Sequence, residues 1–312
     1  SVQRTQSRIA KPPDFHNLPE ERASEGRSGR GKKGSSSSSS SSGALLQAPW
    51  DGSKRVTASN FLEYVKTCEF YKNQLVNATR VPANPALYGE LTAPAVPEGV
   101  RQALNGLGIA RLYSHQVQGI NALMRPRANR HVICTTPTSS GKSLIYTVPL
   151  VARLLEDPAA RAFLLFPTKA LAHDQLKSLR GFCARAGLPG PDTAVASFDG
   201  DTGRCERGAV RRTARIVVTN PDILHCTVLP AHEDWKPFLG GMRFLVVDEA
   251  HAYTGAFGNH VSLVIRRLLR LCHHYGAAPK VVCCSATIPN AVKHMAALTG
   301  VADGEIVEVN ED

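Results

Sequence analysis

The sequence predicts an α/β fold, a mostly parallel sheet with helices on both faces, and three observations carry that prediction. From about residue 100 onward, short apolar runs alternate with segments of helical spacing. That is the pattern of strands buried on both sides and joined by helices. One run, Val132-Ile133-Cys134, opens into Thr135-Thr136-Pro137-Thr138-Ser139-Ser140-Gly141-Lys142-Ser143, and a helical pattern follows it. Another, Phe244-Leu245-Val246-Val247, ends in Asp248-Glu249-Ala250-His251. In parallel sheets ligands sit at the carboxyl ends of strands, and both motifs fall there.

Taken in order, residues 1–43 are dominated by Arg, Gly, Ser and Pro, and Ser35 to Ser42 is an unbroken serine tract. Such a segment cannot bury enough apolar area to offset its ordering entropy, so a disordered tail is expected. Its cluster Arg27, Arg30, Lys32, Lys33 reads first as solvated chain, then as a nuclear address or a nucleic-acid tether. Residues 44–95 read as a lead-in that packs on the core. Phe61, Leu62, Val65, Cys68, Tyr71 and Leu75 have helical spacing, predicting a helix from Asn60 to Leu75. Pro82, Pro85, Pro94 and Pro97 then punctuate an irregular stretch.

Residues 96–312 form the main domain. Strands are expected at 131–135, 162–166, 193–198, 215–219, 243–247, 280–284 and 304–309. A helix over Gly141 to Leu155 carries Leu144, Ile145, Val148, Val151 and Leu155 on one side, with Pro149 set to kink it. Thr168 to Ala184 and Asn259 to Tyr275 are the clearest other helices.

Composition limits the function classes. The 312 residues carry a net charge of +11. The tail supplies only part of it, so the folded portion is itself basic, which suits a polyanionic partner. The eight cysteines include no C-x-x-C pair. Adjacent Cys283 and Cys284 should point to opposite faces of a strand, a poor geometry for a metal clip or disulfide. A reduced, intracellular protein without a metal-binding cysteine site in this segment is expected. No apolar run approaches a membrane span.

The two strand-end motifs carry chemistry. Gly141 lets backbone approach phosphates, and loop N–H groups with the next helix N-terminus face the anion. In that reading Thr136, Pro137, Thr138, Ser139, Ser140, Gly141, Lys142 and Ser143 cradle a nucleotide. Lys142 neutralises its terminal phosphates, and Ser143 holds Mg²⁺. Thr136 stands where the usual first glycine of such a loop would be. Asp248 would hold Mg²⁺, directly or through water, and Glu249 would polarise the attacking water. His251 would link this site to the next strand end, Ser285-Ala286-Thr287. The hydroxyls of that turn can bond the acidic segment or cap the following helix.

The order of motifs resembles a superfamily 2 helicase of the DEAD/DEAH-box class. Tyr113-Ser114-His115-Gln116 resembles the adenine-reading motif, with Tyr113 and Gln116 at the base. Phe166 to Ala172, containing Thr168 and Lys169, and Thr219-Asn220-Pro221-Asp222 resemble the blocks that hold a nucleic-acid backbone. Ser285 and Thr287 correspond to the coupling motif. The resemblance covers about residues 80–312 and implies a RecA-like P-loop NTPase domain using ATP and Mg²⁺, with Lys142, Asp248, Glu249 and His251 catalytic.

Leu112 to Gln116, Phe198 to Thr202, Thr219 to Leu224 and Asp248 to His260 are similar to the Hrq-type helicases, the RecQ-like group that includes YprA-like proteins. That branch implies 3′-to-5′ translocation on single-stranded DNA, duplex unwinding and DNA repair. Single-stranded or forked DNA is the expected partner, with RNA as second choice and no membrane. The nucleus is the expected compartment, ahead of cytoplasm or an organelle. Only the first RecA-like domain is expected in this sequence. The second, which carries arginine fingers in the family, would belong to the same full-length protein. The competing expectation is a truncated nucleotide- or nucleic-acid-binding regulatory module without motor activity.

Overall fold

The computed structural model describes residues 55–79, 85–92, 96–125, 130–137 and 140–310. The tail expected at 1–43 and the loop residues Thr138 and Ser139 lie outside them. The chain divides into two units, Ser1–Pro82 and Ala83–Asp312.

In the first unit the helix predicted from Asn60 to Leu75 is shorter, Phe61–Thr67, and no residue of it is buried. Short helices gain most of their stability from a docked apolar face. With nothing buried, the apolar spacing at Tyr71 and Leu75 does not extend this one.

The second unit is built on a seven-stranded sheet and a small two-stranded one. In chain order, a small pair comes first, β1 (Tyr88–Gly89) and β2 (Leu112–Tyr113), joined antiparallel. The main sheet follows: β3 (His131–Cys134), β4 (Arg161–Leu165), β5 (Val195–Ser197), β6 (Ile216–Thr219), β7 (Met242–Val247), β8 (Lys280–Cys284) and β9 (Ile306–Val309). Their order across the sheet is β5-β6-β4-β7-β8-β3-β9. Every pairing in it is parallel. All seven strands expected from the sequence are present, each within two residues of its predicted limits.

Alternate residues along each strand enter two separate cores, as a period of two requires. Val132, Cys134, Leu164, Val246 and Cys284 join a layer with Val100, Ile120, Ile145 and Phe182 from helices. Ile133, Phe163, Leu245, Val247 and Cys283 join the other, with Trp235, Phe238, Ile265 and Met295. Cys283 and Cys284 therefore do face opposite sides of the sheet.

The helix Ser143–Glu156 follows β3 and runs through Pro149. Lys169–Arg185 follows β4, and Gly255–His274 follows β7, starting four residues before its predicted limit. Ala291–Thr299 follows β8. Helix Ser114–Met124 crosses the first of these so closely that a Cβ on Gly119 would sit 2.5 Å from Ile145 Cγ2. Among the described residues no helix is long and apolar enough to cross a membrane.

Candidate functional site

The carboxyl ends of β3, β7 and β8 are adjacent, and hydrogen bonds tie their turns together. After β3 the backbone turns through Gly141 at φ +76°, where a β-carbon is disfavoured. A Cβ there would also lie 2.5 Å from Gln116 Nε2. Thr136 is fully buried, and its hydroxyl pairs with that of Ser140 at 2.6 Å. Its side chain thus braces the loop from inside at the position where a glycine is usual. Lys142 Nζ donates to Thr136 O and Pro137 O, both at 2.8 Å, so the ammonium lies across the loop mouth.

The residues read as base-contacting reach this loop directly. Gln116 is buried; its Oε1 accepts from Tyr113 N at 3.0 Å and its Nε2 donates to Gly141 O at 3.1 Å. His115 Nε2 donates to Ser140 O at 3.0 Å. Beside them opens a cavity of ≈ 460 Å³ whose lining includes Tyr88, Arg111, Tyr113, Gln116, Gly141 and Leu144. Tyr88 stacks on Tyr113 with centroids 5.4 Å apart, and the Arg111 guanidinium lies 4.2 Å over the Tyr88 ring. A flat aromatic and cationic wall of this kind accepts a planar base. Tyr88 and Arg111 were not foreseen, because a two-residue strand carries no readable period.

At the end of β7, Asp248 Oδ1 accepts from Glu249 N at 2.9 Å, and Glu249 adopts a left-handed conformation at φ 50°. Burial, above all, pushes the Asp248 carboxyl up to about 6; the Glu249 amide opposes the rise, the Glu249 side-chain charge adds to it, and Tyr146 and Lys142 oppose it. Tyr146 Oη lies 3.3 Å from Asp248 Oδ2.

His251 sits 3.4 Å from Glu249 Oε2 through Nδ1. The same nitrogen accepts from Ala286 N at 3.2 Å and lies 3.4 Å from Ser285 Oγ. The amide is a fixed donor, so Nδ1 is the acceptor and a neutral His251 carries its proton on Nε2. Thr287 Oγ1 donates to Thr135 O at 3.4 Å, and Ser285 N donates to Cys134 O at 2.9 Å. The Ser285–Thr287 turn therefore touches both the phosphate-type loop and the acidic segment. His294 Nε2 adds a bond to Ala250 O at 2.9 Å, which no sequence pattern announced.

The remaining predicted residues lie at the ends of β4 and β6. Thr168 caps its helix by accepting from Leu171 N. Lys169 Nζ donates to Asp201 Oδ2 at 2.6 Å; that bond holds the exposed Asp201 carboxyl below its usual range. Asn220 Oδ1 accepts from Ile223 N at 2.9 Å. Thr219 is buried and its hydroxyl donates to Phe198 O at 2.5 Å. Its side chain fixes the loop, leaving Thr168, Lys169 and Asn220 as the surface groups of this set.

Residues 113–295 match the DEAD/DEAH box helicase family. The chain belongs to that family. It is 39% identical over 259 residues to the ATP-dependent helicase HRQ1 of Saccharomyces cerevisiae, covering 82% of this chain and 23% of that protein. It is 40% identical over 206 residues to the ATP-dependent helicase YprA of Bacillus subtilis, covering 66% of this chain and 27% of that one. The resemblance to Hrq-type helicases is borne out, over about a quarter of those relatives' length. Among solved structures, the DUF1998 helicase MrfA bound to DNA and AMPPNP is similar with a TM-score of 0.68. The identity is 37%, across 73% of this chain and 31% of that one. The sheet is thus that of a RecA-like helicase domain.

Proposed function

We propose that this chain is the ATP-binding motor domain of an ATP-dependent DNA helicase of the Hrq type. The reading rests on one observation above all: the loop after β3, the acidic pair after β7 and the Ser285–Thr287 turn after β8 are hydrogen-bonded into a single site.

The residues fit a nucleotide. Gly141 leaves room that a side chain would fill, and the N-terminus of a 14-residue helix starts at Ser143. They also fit Mg²⁺. Asp248 is a desolvated carboxylate beside a second carboxylate, and bringing a cation to it relieves both costs. Ser143 and Asp248 would hold the metal, which when bound offsets phosphate charge.

The chain's own groups do the rest. Lys142 exchanges its two loop carbonyls for phosphate oxygens, so its charge is delivered without reorganising the helix. Glu249, fixed by the left-handed turn, receives a proton from the attacking water at its carboxylate. His251 and Thr287 hold the neighbouring turns in register through hydrolysis. Thr168, Lys169 and Asn220 contact the backbone of a single strand, where such contacts read no sequence.

The DNA substrate, 3′-to-5′ polarity, repair role and nuclear location belong to this proposal. They are supported by kinship with HRQ1 and by MrfA having been solved with DNA. So does a second RecA-like domain of the full-length protein supplying an arginine finger, a group worth about 10³–10⁵ in rate in related enzymes.

The test is ATP binding and hydrolysis by the chain with and without single-stranded DNA or RNA, using Lys142→Ala as control. The expected result is Lys142-dependent binding, slow turnover, and a response to DNA exceeding that to RNA. A stronger response to RNA would move the assignment to an RNA helicase. Absence of Lys142-dependent nucleotide binding would overturn the motor reading.

A further inference from the structure

Tyr146 lies in the first turn of the helix Ser143–Glu156 and is 1% exposed. Its hydroxyl faces two groups on different elements. Asp248 Oδ2 is 3.3 Å away and Gln175 Oε1 is 3.4 Å away. Both are acceptors, and the phenol has a single proton to give. A phenol is a proton donor at neutral pH. It can therefore satisfy one partner fully, or both poorly, as the two long distances record.

The partners belong to different functions. Asp248 is the buried carboxylate of the nucleotide site. Gln175 is on the helix Lys169–Arg185, whose N-terminal end presents Thr168 and Lys169. A cavity of ≈ 40 Å³, lined in part by Ser143, Tyr146, Gln175 and Ser178, adjoins the pair. That space is large enough for a water molecule, and it leaves both side chains freedom to shift.

We propose that Tyr146 is a positioning residue that relays the state of the nucleotide site to the strand-holding helix through Gln175. While the Asp248 carboxylate bears its charge unaided, it holds the phenol proton. When that charge is engaged at the nucleotide, the carboxylate becomes the poorer acceptor. The proton then turns to Gln175, drawing the helix toward the site. The relay rests on the ATP-binding reading above.

The experiment measures coupling rather than turnover. Affinity for a fluorescent ATP analogue with Mg²⁺ is titrated in the 312-residue chain, with and without a dT₂₀ oligonucleotide. Tyr146→Phe keeps the ring and removes only the hydroxyl, and thermal melting checks that it folds. The wild-type chain is expected to show roughly fivefold or greater coupling between the two ligands.

Tyr146→Phe is expected to melt like the wild type and to lose the coupling. Gln175→Leu is expected to bind the analogue alone as the wild type does and also to lose the coupling. The double variant should lose no more than either single one. Retained coupling in Tyr146→Phe or in Gln175→Leu overturns the relay and leaves the hydroxyl a packing feature. A wild-type chain that binds the analogue but shows no coupling overturns the relay alone. A wild-type chain without Lys142-dependent binding overturns the ATP reading and the relay with it.

Discussion

Asp248 is ionised only at a cost in the ligand-free protein, and that cost is measurable. Its carboxyl is raised to about 6 from 3.8, chiefly by burial. The folded chain therefore binds this proton more readily than the unfolded chain does. Its stabilising share is full below about pH 4 and is lost as pH rises through about 6. Asp248→Asn removes the penalty. It is expected to stabilise the free protein on the order of 2 kcal/mol at pH 7 and to leave it unchanged near pH 4. Melting curves at the two pH values check this, and equal shifts at both would place the cause elsewhere. Lys142→Ala removes a charged donor from the loop mouth and should weaken ATP-analogue binding roughly tenfold or more. A titration within threefold of wild type would contradict that role.

Helix on helix, Gly119 approaches Ile145 closely. Gly119→Ala forces Ile145 or a helix to move and is expected to cost about 1–3 kcal/mol. Ile145 follows Ser143 by two residues, so the displaced turn should also weaken ATP-analogue binding. Melting and titration together check this, and a stable variant with normal affinity would show that the contact yields without effect.

At this scale the sequence was most legible where strands are buried on both faces, because runs such as Phe244 to Val247 need no period to be recognised. The loop and the acidic pair were legible because their chemistry demands particular residues next to those strands. Three features were not. The helix at Phe61 stops early, and none of its residues is buried. Tyr88 comes to the base wall through two residues of pairing, its own partner Tyr113 lying 25 positions away in sequence. Tyr146 and His294 are polar only at their tips, and within helical segments they read as ordinary spacing. Their partners are set by tertiary approach, which no local pattern encodes.

Across the whole molecule, the strand order separates the loop after β3 from the end of β6 by four strand spacings, about 19 Å. The groups proposed for nucleotide and those proposed for the nucleic-acid strand thus do not meet directly. Positive charge at the end proposed to hold the strand comes through Lys169, which is ion-paired with Asp201. Asp201→Asn should free that lysine for a phosphate. The expected outcome is tighter oligonucleotide binding and a salt dependence steeper by about 0.7 in the log–log slope. Fluorescence anisotropy across a range of KCl concentrations reads both, and an unchanged slope would mean Lys169 stays off the phosphates.

The sheet carries one further consequence in the neighbours Cys283 and Cys284, both without solvent exposure and one in each layer. A thiol reagent reaches either only when the helices over that face lift away. Exposed Cys205 and Cys226 and half-buried Cys68 would label first, and these together with buried Cys134, Cys183 and Cys272 would be replaced. Labelling rates at the two remaining neighbours then clock the breathing of each face separately, within one strand and at native residues.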